Sequence, residues 1–416
     1  MVQRKEYGIN KAKVNNFLDY FVFVLLLAFT TFEFFFREEK LSFVLVGLSF
    51  IYYLFRFRLY ITKEIFFILF ILSFWYFLQY VYVDSYQITS VLSRCFYLYG
   101  AFFIALILER RFIRVFVNVI VGISIISLVI YFLSYIPSVK SYLIGVIAPN
   151  FIPLNVENAI QKGGGINILI YNFQINYIDQ TVGYMRNCGP FWEPGMFAVF
   201  LNIALFFHNF IGKPNVFYNV ILVVALITTF STGGYSVALF VFLLYILQFK
   251  QNVIFVILEI LVFIWMFIKL QEMEYVGAKI EQQIIVARQG MGSDISRFGA
   301  MLTQIEMIKT SPFFGGEDMV KYITSSTYNT LASGFLKPFV VLGIPMGFLY
   351  YCVLFRNFVL LSKSYLKSSI IGLFLFLLIL GLSVSQTILF SCWMQVFLFV
   401  GLIRIRRLKY KKNEKV

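Results

Sequence analysis

The sequence predicts an all-α polytopic membrane protein, and three features lead there: its composition, the recurrence of apolar runs of spanning length, and the placement of its basic residues. Of 416 residues, 60% are hydrophobic, 20% aromatic and only 13% charged, with a mean hydropathy of +0.84. A soluble domain carries about twice that share of charge. A single integral membrane domain therefore accounts for 1–416.

A helix needs about 20 largely apolar residues to cross a bilayer. Such runs recur from Phe17 to Ile403 and give about twelve helices. The predicted spans are 17–36, 41–59, 65–83, 91–108, 112–135, 191–211, 216–231, 234–249, 252–270, 333–356, 367–382 and 386–403. The first run has no small-residue cleavage pattern after it, so it reads as an anchor rather than a removable signal. The seventh and eighth are short and meet at Ser231-Thr232-Gly233-Gly234, which suits either two spans or a hairpin that does not fully cross.

Two connections, 136–190 and 271–332, are long for a compact membrane domain, and loops of that length usually carry function or their own structure. In the first, Gly163-Gly164-Gly165 precedes a weakly alternating stretch from Ile166 to Tyr171, followed by Phe173 to Tyr184, which reads as a small hairpin on the membrane surface. In the second, Ser293-Asp294 can cap an amphipathic helix with apolar residues Ile295, Phe298, Leu302, Ile305 and Ile308, ended by Ser311-Pro312.

Cytoplasmic loops accumulate Lys and Arg. The N-terminal arm with Arg4 and Lys5, the Arg56/Arg58/Lys63 and Arg110/Arg111/Arg114 clusters, Arg356/Lys363/Lys367 and the tail from Arg404 all fall on one side of this threading. Both termini are expected in the cytoplasm, and both long connections outside. The net charge of +15 is mostly this bias. Because the basic residues lie beside apolar spans, they suit anionic membrane lipids, and nucleic-acid binding is not expected. Cys95, Cys188, Cys352 and Cys392 are scattered without metal-ligand spacing and read as packing residues.

The most informative segment runs Arg186-Asn187-Cys188-Gly189-Pro190-Phe191-Trp192-Glu193-Pro194-Gly195, placing a cation and a carboxylate just before a long apolar run. Pro194 fits the first turn of a helix, whose positive end would face the same surface. Arg297 draws notice separately, because a cation in a helix's first turn opposes the dipole unless an anion is nearby.

Arg186 with Gly189 and Phe191-Trp192-Glu193-Pro194-Gly195 opening a span resembles the O-antigen polymerases, the Wzy-type membrane glycosyltransferases of the O-antigen ligase/polymerase superfamily. So does the order that follows: a large loop with Arg297, then Ser311-Pro312-Phe313-Phe314-Gly315, Tyr328-Asn329 and Gly343-Ile344-Pro345-Met346-Gly347. The motifs cover the second half of the chain, and the topology covers all of it. The resemblance implies a GT-C-like fold in the bacterial cytoplasmic membrane. It implies glycosyl transfer at the outer face between glycans carried on undecaprenyl diphosphate, with a flippase and a chain-length regulator of the same pathway as further partners.

A diphosphate is already a good leaving group, so such a protein must chiefly stabilise negative charge and align two large substrates. Arginine suits that work, since its planar fork binds phosphate oxygens at two points. Arg186, Arg288 and Arg297 are the expected diphosphate ligands, with Tyr328 and Asn329 at the substrate. Glu193 is the candidate base for the acceptor hydroxyl, set against the alternative of a carboxylate capping its own helix. No cofactor or metal requirement is expected.

Two rival readings remain. O-antigen ligases usually place a histidine before the asparagine that here follows Tyr328, and the sole histidine, His208, is expected near the cytoplasmic side. A proton-coupled transporter or flippase of lipid-linked oligosaccharide would use Glu259, which lies inside the ninth predicted span. No repeat relates the two halves, as many transporters would show.

Overall fold

The computed structural model describes residues 2–35, 40–56, 62–83, 88–109, 111–151, 166–173, 185–212, 214–248, 297–316, 334–366 and 368–405. In order, its helices are α1 (Val2–Thr31), α2 (Lys40–Arg56), α3 (Lys63–Tyr82), α4 (Ile88–Leu108), α5 (Phe112–Leu133) and the short α6 (Pro137–Tyr142). They continue with α7 (Pro194–Phe206), α8 (Val216–Thr228), α9 (Thr232–Gln248), α10 (Arg297–Thr310), α11 (Lys337–Leu366), α12 (Ile370–Ser385) and α13 (Cys392–Gln395). Among the described residues, sheet is confined to β1 (Ile166–Asn167) and β2 (Asn172–Phe173), which pair antiparallel.

Lys63–Tyr82, Val91–Leu108, Phe112–Leu133, Pro194–Ile211 and Lys337–Leu366 are long and apolar enough to cross a bilayer, and shorter apolar helices pack beside them. The outward faces are apolar too: Phe66, Phe67, Phe70 and Phe74 on α3 are all exposed. A helix with apolar residues all round belongs in lipid or in a core. This is a helical, membrane-embedded protein. The ninth predicted span, with Glu259, lies outside the described residues.

The centre of the bundle is α7. Every residue from Pro194 to Phe206 is buried, and α5, α8, α9 and α12 pack around it. Close approach is built in where α9 crosses it, since a side-chain carbon on Gly234 would lie 2.6 Å from Ala198 Cβ. Asn202 closes the same contact, donating to the Gly234 carbonyl at 3.1 Å. A π-helical turn, Phe207–Ile211, ends the element.

Three spans differ from their sequence-based limits by more than a few residues, the first because α1 already begins at Val2 and ends at Thr31. α11 continues through Arg356 to Leu366 rather than stopping at 356, because an exposed cation can extend its head toward water without ending a helix. The last span, predicted as continuous over 386–403, is broken: α13 passes into a 3-10 turn at Val396–Leu398 before helix resumes. The Leu402 N–H is taken by Asn357 Oδ1 at 3.0 Å. Gly401 permits that approach, since a Cβ there would lie 2.1 Å from the Asn357 carbonyl oxygen.

At the far end of the bundle from the start of α7, Asp19 on α1 is 1% exposed. It accepts from Arg111 Nη1 at 3.0 Å and from Tyr52 Oη at 3.1 Å, joining α1 to α2 and α5. A carboxylate in an apolar run persists only with such partners. Since Arg111 is 45% exposed, the pair is worth less than a fully buried one. Asp19→Ala should lower stability by about 1–3 kcal/mol, read as a lower midpoint of thermal unfolding in detergent. A coupling energy near zero in the double-mutant cycle with Arg111→Ala would remove the ion pair's role.

Candidate functional site

The segment entering α7 is irregular backbone held in the protein interior, and each of its residues has a local reason. Asn187 is fully buried. Its Nδ2 donates to Thr228 Oγ1 at 2.9 Å and Ser127 Oγ at 3.4 Å, while its Oδ1 accepts from the Gly189 N–H at 3.0 Å. Gly189 has φ +54, a conformation that favours glycine. From the hairpin, the Asn172 N–H donates to the Gly189 carbonyl at 2.7 Å, and Asn172 Nδ2 donates to the Phe191 and Trp192 carbonyls at 3.0 and 3.2 Å. The Glu33 N–H, just past α1, donates to the Pro190 carbonyl at 3.0 Å. Non-helical backbone in a membrane protein survives where its polar groups are satisfied internally.

Phe191 stacks on Phe197 and Phe200 with ring centroids 5.3 and 4.9 Å apart. Its contact with the fourth helical residue fixes the angle at which the chain joins α7, as a hydrophobic staple does. Glu193 occupies the N-cap position with extended backbone, and Pro194 takes the first helical position.

Arg186 reaches sideways to the turn between α8 and α9. Its Nε donates to the Thr229 carbonyl and its Nη2 to the Phe230 carbonyl, each at 3.2 Å. Phe230 has φ +47, unusual for a bulky residue, and the guanidinium helps hold that turn. Carbonyl acceptors orient the fork without bringing a countercharge of their own.

The Glu193 side chain does not cap its helix. No hydrogen bond or ion pair engages its carboxylate among the described residues. Gln386, 3% exposed, comes in from the end of α12. A Cβ on Gly195 would lie 2.3 Å from Gln386 Nε2 and 3.8 Å from Glu193 Oε1, so the glycine admits the amide beside the carboxylate. The site thus places a cation, a carboxylate, an amide and the positive end of α7 at one end of the bundle.

Two further motifs meet at that same end. Gly343 breaks α11 with φ +77, and Pro345 has no N–H, which frees the carbonyls of the preceding turn. Each finds a partner. Val340 O accepts from the Gly316 N–H at 3.2 Å, Val341 O from Gln79 Nε2 at 2.6 Å, and Leu342 O from Trp75 Nε1 at 2.9 Å. The Ile344 N–H turns to the Pro312 carbonyl at 2.7 Å. Phe314 lies between Trp75 and Tyr82, with ring centroids 5.3 and 5.1 Å away. Ser311 through Gly315 therefore clasps the kink of α11 and ties α10 to it.

Arg297 is the first described residue of α10. The helix turns Gln304 and Met307 inward, with Ile308 packed against Met307 and Val340 of α11, and leaves Leu302 and Ile305 exposed. The expected Ser293-Asp294 cap, Arg288, Tyr328 and Asn329 lie outside the described residues. Of the predicted site residues, Arg186 and Glu193 lie on the same segment entering α7, Arg186 bonded to the turn between α8 and α9 and Glu193 at the helix start beside Gln386. Asn187, Asn172 and Gln386 were not singled out in sequence; their signal is an amide side chain where the surrounding residues are apolar.

His208 is buried at the opposite end of α7, accepting from the Asn215 N–H at 2.8 Å through Nε2, and so holds the link to α8. Among the described residues, no three His, Cys, Asp or Glu side chains gather closely enough to hold a metal ion. In comparisons with known proteins, the chain matches no family model and no curated protein.

Proposed function

We propose that this protein is a membrane glycosyltransferase that joins glycans carried on a polyprenyl diphosphate, as a polysaccharide polymerase does. The observation that carries this reading is Glu193: a carboxylate beside the N-terminus of a buried helix, engaged by nothing among the described residues, on the segment that Arg186 anchors. The motifs that resemble the O-antigen polymerases support it, since Ser311–Gly315 and Gly343–Gly347 meet through hydrogen bonds at the same end of the bundle.

In this reading, Glu193 accepts the proton of an acceptor hydroxyl as its oxygen bonds to C1 of the donor sugar. The C1–O bond to the diphosphate breaks, and the electron pair leaves on phosphate. Arg186 and the positive end of α7 stabilise that charge. Gln386 orients one of the sugars by hydrogen bonding, a task for which an amide supplies both donor and acceptor. The Glu193 end then faces outward, and both termini face the cytoplasm.

Purified protein supplied with synthetic diphosphate-linked repeat units should produce a ladder of longer glycans. Arg186→Lys, which keeps the charge and loses the fork, should slow the ladder about 100-fold while the protein stays monodisperse in detergent. A wild-type protein that forms no ladder, in cells whose deletion traps repeat units on the inner face, would replace this reading by transport of lipid-linked glycan.

A further inference from the structure

A cleft of about 440 Å³ opens between α3 and α11, at the end of the bundle away from Glu193. Its mouth carries Lys63, Arg356 and Glu64, so two cations face one carboxylate. Its shaft is apolar, formed by Ile68 and Leu72 on α3 with Leu349 and Val353 on α11. The one hydroxyl along it, on Tyr350, is turned to the Leu389 carbonyl.

Depth and polarity agree with one kind of occupant. From Lys63 to Leu72, α3 rises ~13 Å, close to half of the ~30 Å hydrocarbon core of a bilayer. The cleft therefore has the depth of one leaflet, with charge at the headgroup level and hydrocarbon below. Phe67, at the rim, is 60% exposed, and its outward neighbours on α3 face the surroundings of the bundle. Leu349, on the opposite wall, is 37% exposed, so the shaft opens to the side of the bundle. The start of α3, where Thr62 Oγ1 caps the Ile65 N–H, adds the positive end of a helix dipole to the same mouth.

We propose that this cleft binds an anionic phospholipid of the surrounding membrane, its phosphate between Lys63 and Arg356 and one acyl chain along Ile68, Leu72, Leu349 and Val353. A zwitterionic headgroup would bring a second cation to a mouth already positive. A free anion would leave the shaft empty or wet. The site is separate from Glu193 and independent of the transferase reading.

The full chain in phosphatidylcholine nanodiscs, doped with trace phosphatidylglycerol or phosphatidylcholine bearing a photoreactive acyl chain, tests this. Phosphatidylglycerol should label peptides spanning 63–72 and 349–356 about 25-fold more than phosphatidylcholine, given roughly fivefold for each of the two cations at a membrane surface. Lys63→Gln with Arg356→Gln should reduce that labelling to the phosphatidylcholine level. Ile68→Trp, which fills the shaft and keeps both cations, should reduce it several-fold and carries the test alone if the double variant does not fold. Equal labelling by the two lipids, labelling indifferent to these substitutions, or displacement by millimolar inorganic phosphate would overturn the proposal.

Discussion

Glu193→Gln should abolish or slow glycan transfer by about 10²–10⁴-fold, the usual contribution of a positioned base, and leave thermal stability within about 0.5 kcal/mol of the parent. The two halves of that expectation separate the candidate roles. An N-cap carboxylate that bonds its own helix loses roughly 1 kcal/mol on truncation. The Glu193 side chain makes no such bond, and glutamine keeps its shape. A base, by contrast, is lost with the charge. Rates measured on diphosphate-linked repeat units, beside unfolding midpoints of the same preparations, decide the matter. A destabilised but active Glu193→Gln protein would make the residue a cap and end its catalytic assignment.

Gly343→Ala should be the most damaging single methyl addition at the kink in α11. At φ +77 and ψ 169, the backbone lies in a region that is essentially glycine's alone, worth about 1–3 kcal/mol. The new carbon would also fall 1.9 Å from the Phe313 carbonyl oxygen, so the clasp must open. Opening it strands the Val340 carbonyl and the Ile344 N–H, whose partners Gly316 and Pro312 belong to the clasp, and each unsatisfied buried group costs about 1–3 kcal/mol more. The expected outcome is failure to accumulate folded protein, scored as fluorescence of a tagged chain on detergent gel filtration. Gly47→Ala on α2, where nothing lies within 4 Å of the added carbon, serves as control and should behave as wild type. A monodisperse, active Gly343→Ala protein would show that the kink is not required.

Much of the bundle was legible because a membrane imposes one dominant rule, that spans be apolar. The limits of α3, α4 and α5 follow from runs bounded by charge or polar residues. Where the rule failed, hydropathy gave no warning: the run over 386–403 is irregular before Cys392 and again from Val396 to Phe399, and the Asn357 side chain takes the Leu402 N–H where helix resumes. For α10, periodicity identified the helix, and only the tertiary structure showed that the side bearing Gln304 and Met307 packs inward while Leu302 and Ile305 stay exposed.

At the candidate site, the sequence marked the segment without revealing its geometry. Phe191, Pro194 and Gly195 could be read as the opening of a helix. That Gly195 exists to admit Gln386, a residue far along the chain, could not. Arg186 likewise stood out as a cation beside apolar residues, while its grip on the Thr229 and Phe230 carbonyls depends on where α8 and α9 turn.

By itself, then, the sequence determined the class of the protein and the existence and order of most helices, and it marked the segment of the proposed site, because hydropathy and helix-terminus chemistry are local. The tertiary structure decided which helix is central, which carbonyls the kink of α11 releases and who receives them, and which side chains share an end of the bundle. Those outcomes turn on hydrogen bonds and close approaches between residues hundreds of positions apart, as Gln79 with Val341 and Trp75 with Leu342 illustrate. Local pattern carries no record of such partners, whereas a buried polar group must find them.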